Sequence, residues 1–247
     1  MKFLTILTFV VIFLAACDKN ESKDINTSTK NDAPLFTLLS SQETGVDFVN
    51  TVVDEEDFNI LTYRNFYNGG GVAIGDINND SLPDLYFTAN QEKNKLYLNK
   101  GNFVFEDITE RAGVGGTKAW STGVTMADVN GDGLLDIYVC NSGDVDGASR
   151  ENELFINNGD LTFSDKAKTY MLNNEGYSTH ATFFDYDLDG DLDCYILNNS
   201  FKDPAKIELY KKAREIPSAG GDKLMRNDGD VFIDVTTEAG IYSREIG

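Results

Sequence analysis

Three nine-residue segments carry the chemistry of this chain: DINNDSLPD from Asp76, DVNGDGLLD from Asp128 and DYDLDGDLD from Asp185. Each places Asp or Asn at its first, third, fifth and ninth positions, a spacing that wraps oxygen donors around one hard cation, with calcium the natural occupant. In the second segment, side chains of Asp128, Asn130, Asp132 and Asp136, the Leu134 carbonyl and a water would supply the six or seven oxygens that calcium accepts. The first is parallel, with Asp76, Asn78, Asp80, Asp84 and the Leu82 carbonyl, but Ser81 stands where Gly133 allows the sharp turn and must bend the same way. The third uses Asp185, Asp187, Asp189, Asp193 and the Asp191 carbonyl. Its four anionic ligand side chains, against three in the others, predict the tightest site, because ligand charge tunes affinity. About three calcium ions are expected, one per loop. The twelfth positions are Phe87, Val139 and Ile196 rather than Glu, and the flanks read as strands, so these are not EF-hands. Without metal, each close carboxylate pair costs on the order of 1 to 4 kcal/mol, which couples binding to folding.

The elements that must position these loops repeat with them. Ahead stand GVAIGD from Gly71, GVTMAD from Gly123 and ATFFDYD from Ala181; behind stand LYFTA, IYVC and CYIL from Leu85, Ile137 and Cys194. KLYLN, ELFIN and KLMRN follow, each ending in an Asn-x-Gly turn at Gly101, Gly159 or Gly229, and FVFEDIT, LTFSDKA and VFIDVTT return. β-Branched and aromatic content marks all of them as strands, and the turn chemistry makes hairpins. Each unit is thus predicted to be a four-stranded antiparallel meander. The segments recur at spacings of 52 and 57 residues, a period typical of propeller blades. The fold expected is an all-β propeller with blades at approximately 69–113, 121–172 and 178–241. These three blades make an open arc. Phe36 to Val46 reads as the tail of a further blade, so an N-terminal strand belonging to a closing blade and a truncated chain are expected.

The first residues read as an address. Met1-Lys2 and the apolar run from Phe3 to Ala16 suggest export, and the LAAC ending resembles a bacterial lipoprotein signal, which implies residues 1–16 as signal peptide and Cys17 as the lipidated new N-terminus. Such a run is too short to span a bilayer. Residues 17–33 lack aromatics and apolar periodicity and read as a flexible tether, leaving 34–247 as the partial propeller. Cys140 and Cys194 fall on opposite faces of their respective strands, so a disulfide between them is not expected. With 41 acidic against 21 basic residues the formal charge is −20, which repels phosphate backbones and argues against a nucleic-acid partner.

The alternation of D-x-[DN]-x-D-[GS]-x-x-D loops with NKLYLNKGNFVFEDITERAGV-like hairpins resembles the FG-GAP/VCBS repeat family, the bacterial relatives of integrin alpha-subunit propellers and of cartilage acidic protein. The resemblance covers roughly residues 35 to 241. The literal Phe-Gly and Gly-Ala-Pro signatures are absent, and the second unit's tail, DKAKTYML, lacks the T-E-x-A-G pattern. It implies a calcium-bearing propeller, usually of seven blades, used for adhesion or ligand binding at cell surfaces.

Recognition would fall to the loops opposite the calcium loops, which vary in length from Asn90–Asn94 through Asn141–Arg150 to Asn198–Asp222, the last with a helix across PAKIELYKKARE. Trp120 and Tyr177, aligned with Asn68, could form a ligand platform near the axis. His180, the only histidine, has no partner for a zinc site and reads as structural, and no nucleophile or phosphate-cradling motif is present. The chain therefore reads as a non-enzymatic, exported, calcium-binding module, lipid-anchored through Cys17 to a bacterial membrane, the outer one expected, at the cell surface or in the periplasm, with an extracellular protein or glycan as its partner. The alternatives are the propeller part of a polysaccharide-degrading enzyme with catalytic residues elsewhere, and a structural subunit of a surface complex.

Overall fold

The computed structural model describes residues 34–63, 65–118, 120–143, 150–199, 221–229 and 231–241. The predicted signal peptide, Cys17, the tether and the helix between Asn198 and Asp222 lie outside the described residues. The chain divides into two units, 1–38 and 39–247. Of the first, only 34–38 are described, and they form neither helix nor strand. Among the described residues, no helix is long and apolar enough to cross a membrane.

In the second unit every strand predicted for the three blades forms. They are β1 (Val72–Gly75), β2 (Asp84–Phe87), β3 (Lys95–Asn99), β4 (Phe105–Asp107), β5 (Ser121–Ala127), β6 (Asp136–Asn141), β7 (Glu153–Asn157), β8 (Phe163–Asp165), β9 (Tyr177–Phe184), β10 (Asp193–Asn199), β11 (Lys223–Asn227) and β12 (Phe232–Asp234). They make three four-stranded antiparallel sheets, each strand paired with its sequence neighbour. The meander follows from short connections and from turn glycines that adopt left-handed φ, as at Gly101 (84°), Gly159 (80°) and Gly229 (92°).

Strand alternation then decides which side chains meet. In β6, Ile137 and Val139 pack toward the first sheet with Tyr86, Leu96 and Val114, whereas Tyr138 and Cys140 pack toward the third with Ala181, Cys194 and Ile196. Burying each of the larger aliphatic side chains here contributes about 1.5–3 kcal/mol. The two cysteines, on opposite faces of their own strands, thereby enter the same core, because one face of a sheet meets the opposite face of the next. Both are free thiols. Buried tyrosine hydroxyls close the seams, Tyr86 donating to the Val114 carbonyl (2.6 Å) and Tyr138 to that of Leu172 (2.7 Å).

The first strands of the sheets are the innermost and lie side by side. A Cβ on Gly71 would come 2.8 Å from the Thr122 carbonyl oxygen, and one on Gly123 would come 2.4 Å from that of Thr179, so only glycine lets these backbones approach. Threonine hydroxyls stitch across, Thr88 to the Thr122 carbonyl, Thr122 to that of Ser178 (2.7 Å) and Thr125 to that of Ala181 (2.5 Å). The sheets are therefore propeller blades.

The tails of the first two blades each rest on the next, that of the second through Tyr170, whose carbonyl accepts from the Phe232 N–H (3.0 Å). After β4 a helical turn, α2 (Thr109–Ala112), ends at Gly113 with φ 75°, whose Cα faces Phe163 of β8. An equivalent turn precedes the first blade: α1 (Ser41–Thr44) is held by a capping box between Ser40 and Glu43 and ends at Gly45 (φ 76°) against the Phe105 carbonyl of β4. Within the expected Phe36–Val46 segment, residues 39–46 thus act as a blade tail. The expected N-terminal strand is not formed, because ladder hydrogen bonds need a neighbouring edge and no described strand pairs with it.

Asp107 Oδ1 accepts from the Thr109 N–H (2.9 Å) and hydroxyl, and the Thr109 oxygen accepts from the buried Leu96 N–H (2.9 Å). Asp234, Thr236 and Leu224 repeat this stitch. In the second blade Ala167 replaces the threonine, and the Leu154 N–H reaches Asp165 itself at 3.4 Å. Thr109→Val keeps the shape but orphans the Leu96 N–H, so it should lower unfolding free energy by about 1–3 kcal/mol in a urea titration, with Thr109→Ser retaining most of it.

Candidate metal centre

Each acidic loop joins the first two strands of its blade. All three share one backbone path, with left-handed residues at the fourth and sixth positions: Asn79 and Ser81, Gly131 and Gly133, Leu188 and Gly190. Ser81 does bend as a glycine would, at φ 68°. The first aspartate organises the turn. Asp128 accepts from the N–H groups of Asp132 (3.0 Å) and Gly133 (2.9 Å), Asp76 from Asp80 (3.1 Å) and Ser81 (2.7 Å), and Asp185 from Leu188 (2.7 Å) and Gly190 (3.2 Å). Leu188 is 86% exposed at φ 66°, so its side chain strains the backbone without packing in return. Leu188→Asn should stabilise the chain by up to about 1 kcal/mol, read as a raised melting temperature, since Asn tolerates this region.

The ninth-position aspartates do two jobs, only one of which sequence reasoning assigned. Asp84, Asp136 and Asp193 are fully buried. One oxygen of each accepts the N–H of the second loop residue, Ile77 (3.0 Å), Val129 (2.9 Å) or Tyr186 (2.8 Å). The other accepts the N–H of the last residue of the third strand, Asn99 (2.7 Å), Asn157 (2.9 Å) or Asn227 (2.8 Å). They staple the loop to the blade, and each oxygen keeps a second lone pair for a cation. Burial raises the Asp84 carboxyl above the usual range and pushes Asp136 up to about 6, against the pull of these hydrogen bonds.

The asparagines are the residues that the sequence pattern disguised as plain turn formers. Asn157 Nδ2 also donates to the Ile77 carbonyl of the first loop (2.8 Å), and Asn79 Nδ2 donates to the Gly133 carbonyl of the second (3.1 Å). The first two acidic loops are thus joined directly. The recurrence of Asn at this register was the available signal.

The third loop is the most concentrated. Carboxylate oxygens of Asp185, Asp187 and Asp193 lie within 4.8 Å of one another. Asp191, assigned only a carbonyl role from the sequence, adds a side-chain oxygen, Oδ1, that is buried and has no hydrogen-bond partner. Desolvation, then the neighbouring Asp189 and Asp193, push Asp191 up to about 6, and desolvation with Asp189, Asp193 and Asp185 raises Asp187. An all-oxygen, anionic donor set on a turn of this kind fits a hard cation, calcium or magnesium, and not a soft metal. Residues Asp76, Asn78, Asp80, Leu82 and Asp84, and Asp128, Asn130, Asp132, Leu134 and Asp136, occupy the matching places in the other two loops.

The aromatic platform expected of Trp120 and Tyr177 is not present. Trp120 is 1% exposed and packs among Phe58 (4.9 Å), Phe66 (5.1 Å) and Tyr63 (5.2 Å), because these residues and Val52, from a stretch without strand periodicity, fold over it. Tyr177 lies half-buried beneath the Arg150 guanidinium, 4.2 Å from its ring centre.

Fanned four-stranded blades, each opening on an acidic oxygen-rich loop, define a β-propeller repeat protein. Residues 76–139 and 140–196 each match the FG-GAP-like repeat, so the chain carries FG-GAP-like repeats in tandem. It is similar to cartilage acidic protein 1 of Xenopus tropicalis, with 30% identity over 61% of this chain and 23% of that protein. The human and mouse cartilage acidic protein 1 sequences are each 29% identical, over 67% and 66% of this chain and 24% and 25% of theirs. The chain spans about a quarter of the length of these relatives.

Proposed function

We propose that this chain is a calcium-stabilised surface module whose rigid blades present loops to an extracellular protein or glycan. The observation that carries the reading is that three loops, far apart in sequence, adopt one backbone path with Asp and Asn oxygens in the same register. A single Asp-rich turn has many uses; three equivalent ones on successive blades have a common requirement, neutralisation of clustered carboxylates. Lipidation of Cys17 would hold the module at a bacterial membrane, with residues 17–33 as the spacer, and the formal charge of −20 disfavours nucleic acid. Calorimetric titration of the purified chain with calcium tests the reading. A stoichiometry near three is expected, falling by one in Asp185→Asn/Asp187→Asn; absence of calcium binding overturns it.

A further inference from the structure

At the opposite end of the inner strands from the acidic loops, a cavity of about 330 Å³ opens between β1, β5 and β9. Its floor is peptide backbone. Gly70 and Gly71 are glycines of necessity, since a Cβ on Gly70 would fall 2.0 Å from the Thr88 carbonyl oxygen and one on Gly71 2.8 Å from that of Thr122, so the wall they form carries no side chains. Around this floor stand Asn65, Asn68 and His180, none of whose side chains has a hydrogen-bond partner among the described residues, with Tyr63 alongside. His180 is the informative one. It occupies the position of Gly71 and Gly123 in the other two blades, five residues before the first loop aspartate, and its imidazole lies over Gly123. The third blade thus places a side chain where the first two have none.

Among the described residues lining the cavity none is Asp, Glu, Lys or Arg, although the chain carries a formal charge of −20. An ion would find no counter-charge there. Hydroxyl groups, which both donate and accept, match amides and an imidazole that do the same, and the volume sits at the small end of the roughly 300–1,000 Å³ range of ligand pockets. We infer that this axial cavity binds a neutral saccharide unit, held by Asn65, Asn68 and His180. The inference rests on the binding-module reading and names its ligand class and site.

The single histidine makes the test direct. In proton NMR of the calcium-loaded chain, the one imidazole Hε1 resonance is followed while glucose, galactose, mannose and N-acetylglucosamine are added, with glucuronate and an uncharged tripeptide as controls. At least one neutral sugar should shift it saturably, with an affinity at least tenfold weaker in Asn68→Ala, whose exposed side chain makes no hydrogen bond among the described residues. No shift with any neutral sugar, a shift undiminished in Asn68→Ala, or a shift by the tripeptide alone overturns the inference. Calcium stoichiometry, measured on the same samples, reports separately on the underlying module.

Discussion

Adding calcium to metal-free chain should raise its melting temperature by tens of degrees, and excess chelator should reverse the shift. A ligand that binds only the folded state contributes about 2.7 kcal/mol per site when present at 100 times its dissociation constant. For a domain of this size 1 kcal/mol moves the midpoint by about 2–4 °C, so each filled loop adds roughly 5–10 °C. The physical source is visible in the third loop, where Asp185, Asp187 and Asp193 converge within 4.8 Å and Asp191 leaves a buried oxygen without a partner. Scanning calorimetry with calcium and with chelator checks this. A curve that calcium leaves in place would remove the case for metal in these loops.

The second large effect is expected at Asp136. Asp136→Asn offers one acceptor oxygen where two buried N–H groups, of Val129 and Asn157, now each have one, and it turns an amide N–H toward the other donor. The cost should be roughly 1–3 kcal/mol, after part is offset by removing a carboxylate whose burial already pushes it to about 6. The measurement that distinguishes the staple from the ligand is urea unfolding in excess chelator. Asp136→Asn should remain destabilised there, whereas Asp132→Asn, at the exposed fifth position, should lose stability only in calcium. Because Asn157 also holds the Ile77 carbonyl, Asp136→Asn should weaken calcium binding in the first loop as well as its own. Equal stability of Asp136→Asn and the parent in chelator would mean that the two N–H bonds contribute nothing.

Much of this was legible because it is local. Period-two alternation marked the strands, Asn-x-Gly marked the hairpins, and the acidic spacing marked loops whose donors lie within nine residues of one another. Three readings failed or fell short where contacts run between distant segments. Trp120 looked available, yet Val52, Phe58, Tyr63 and Phe66 cover it, and no periodicity in that stretch announced their path. The N-terminal segment was correctly likened to a blade tail but takes a capped turn, because strand geometry depends on a partner. His180 was read as a structural residue; its exposure and its place beside Gly123 of another blade depend on a contact that the linear order does not display.

By itself, then, the amino-acid order determined the repeat, the strand sequence and the oxygen register of each acidic turn, all of which are set by residues near one another along the chain. Tertiary structure alone decided that Asn157 ties one loop to the next, that both cysteines share one core, and that inner-strand glycines leave an axial cavity with unpaired amides around it. Those features exist only where backbones separated by fifty or more residues come into contact, and a linear pattern carries no measure of that distance.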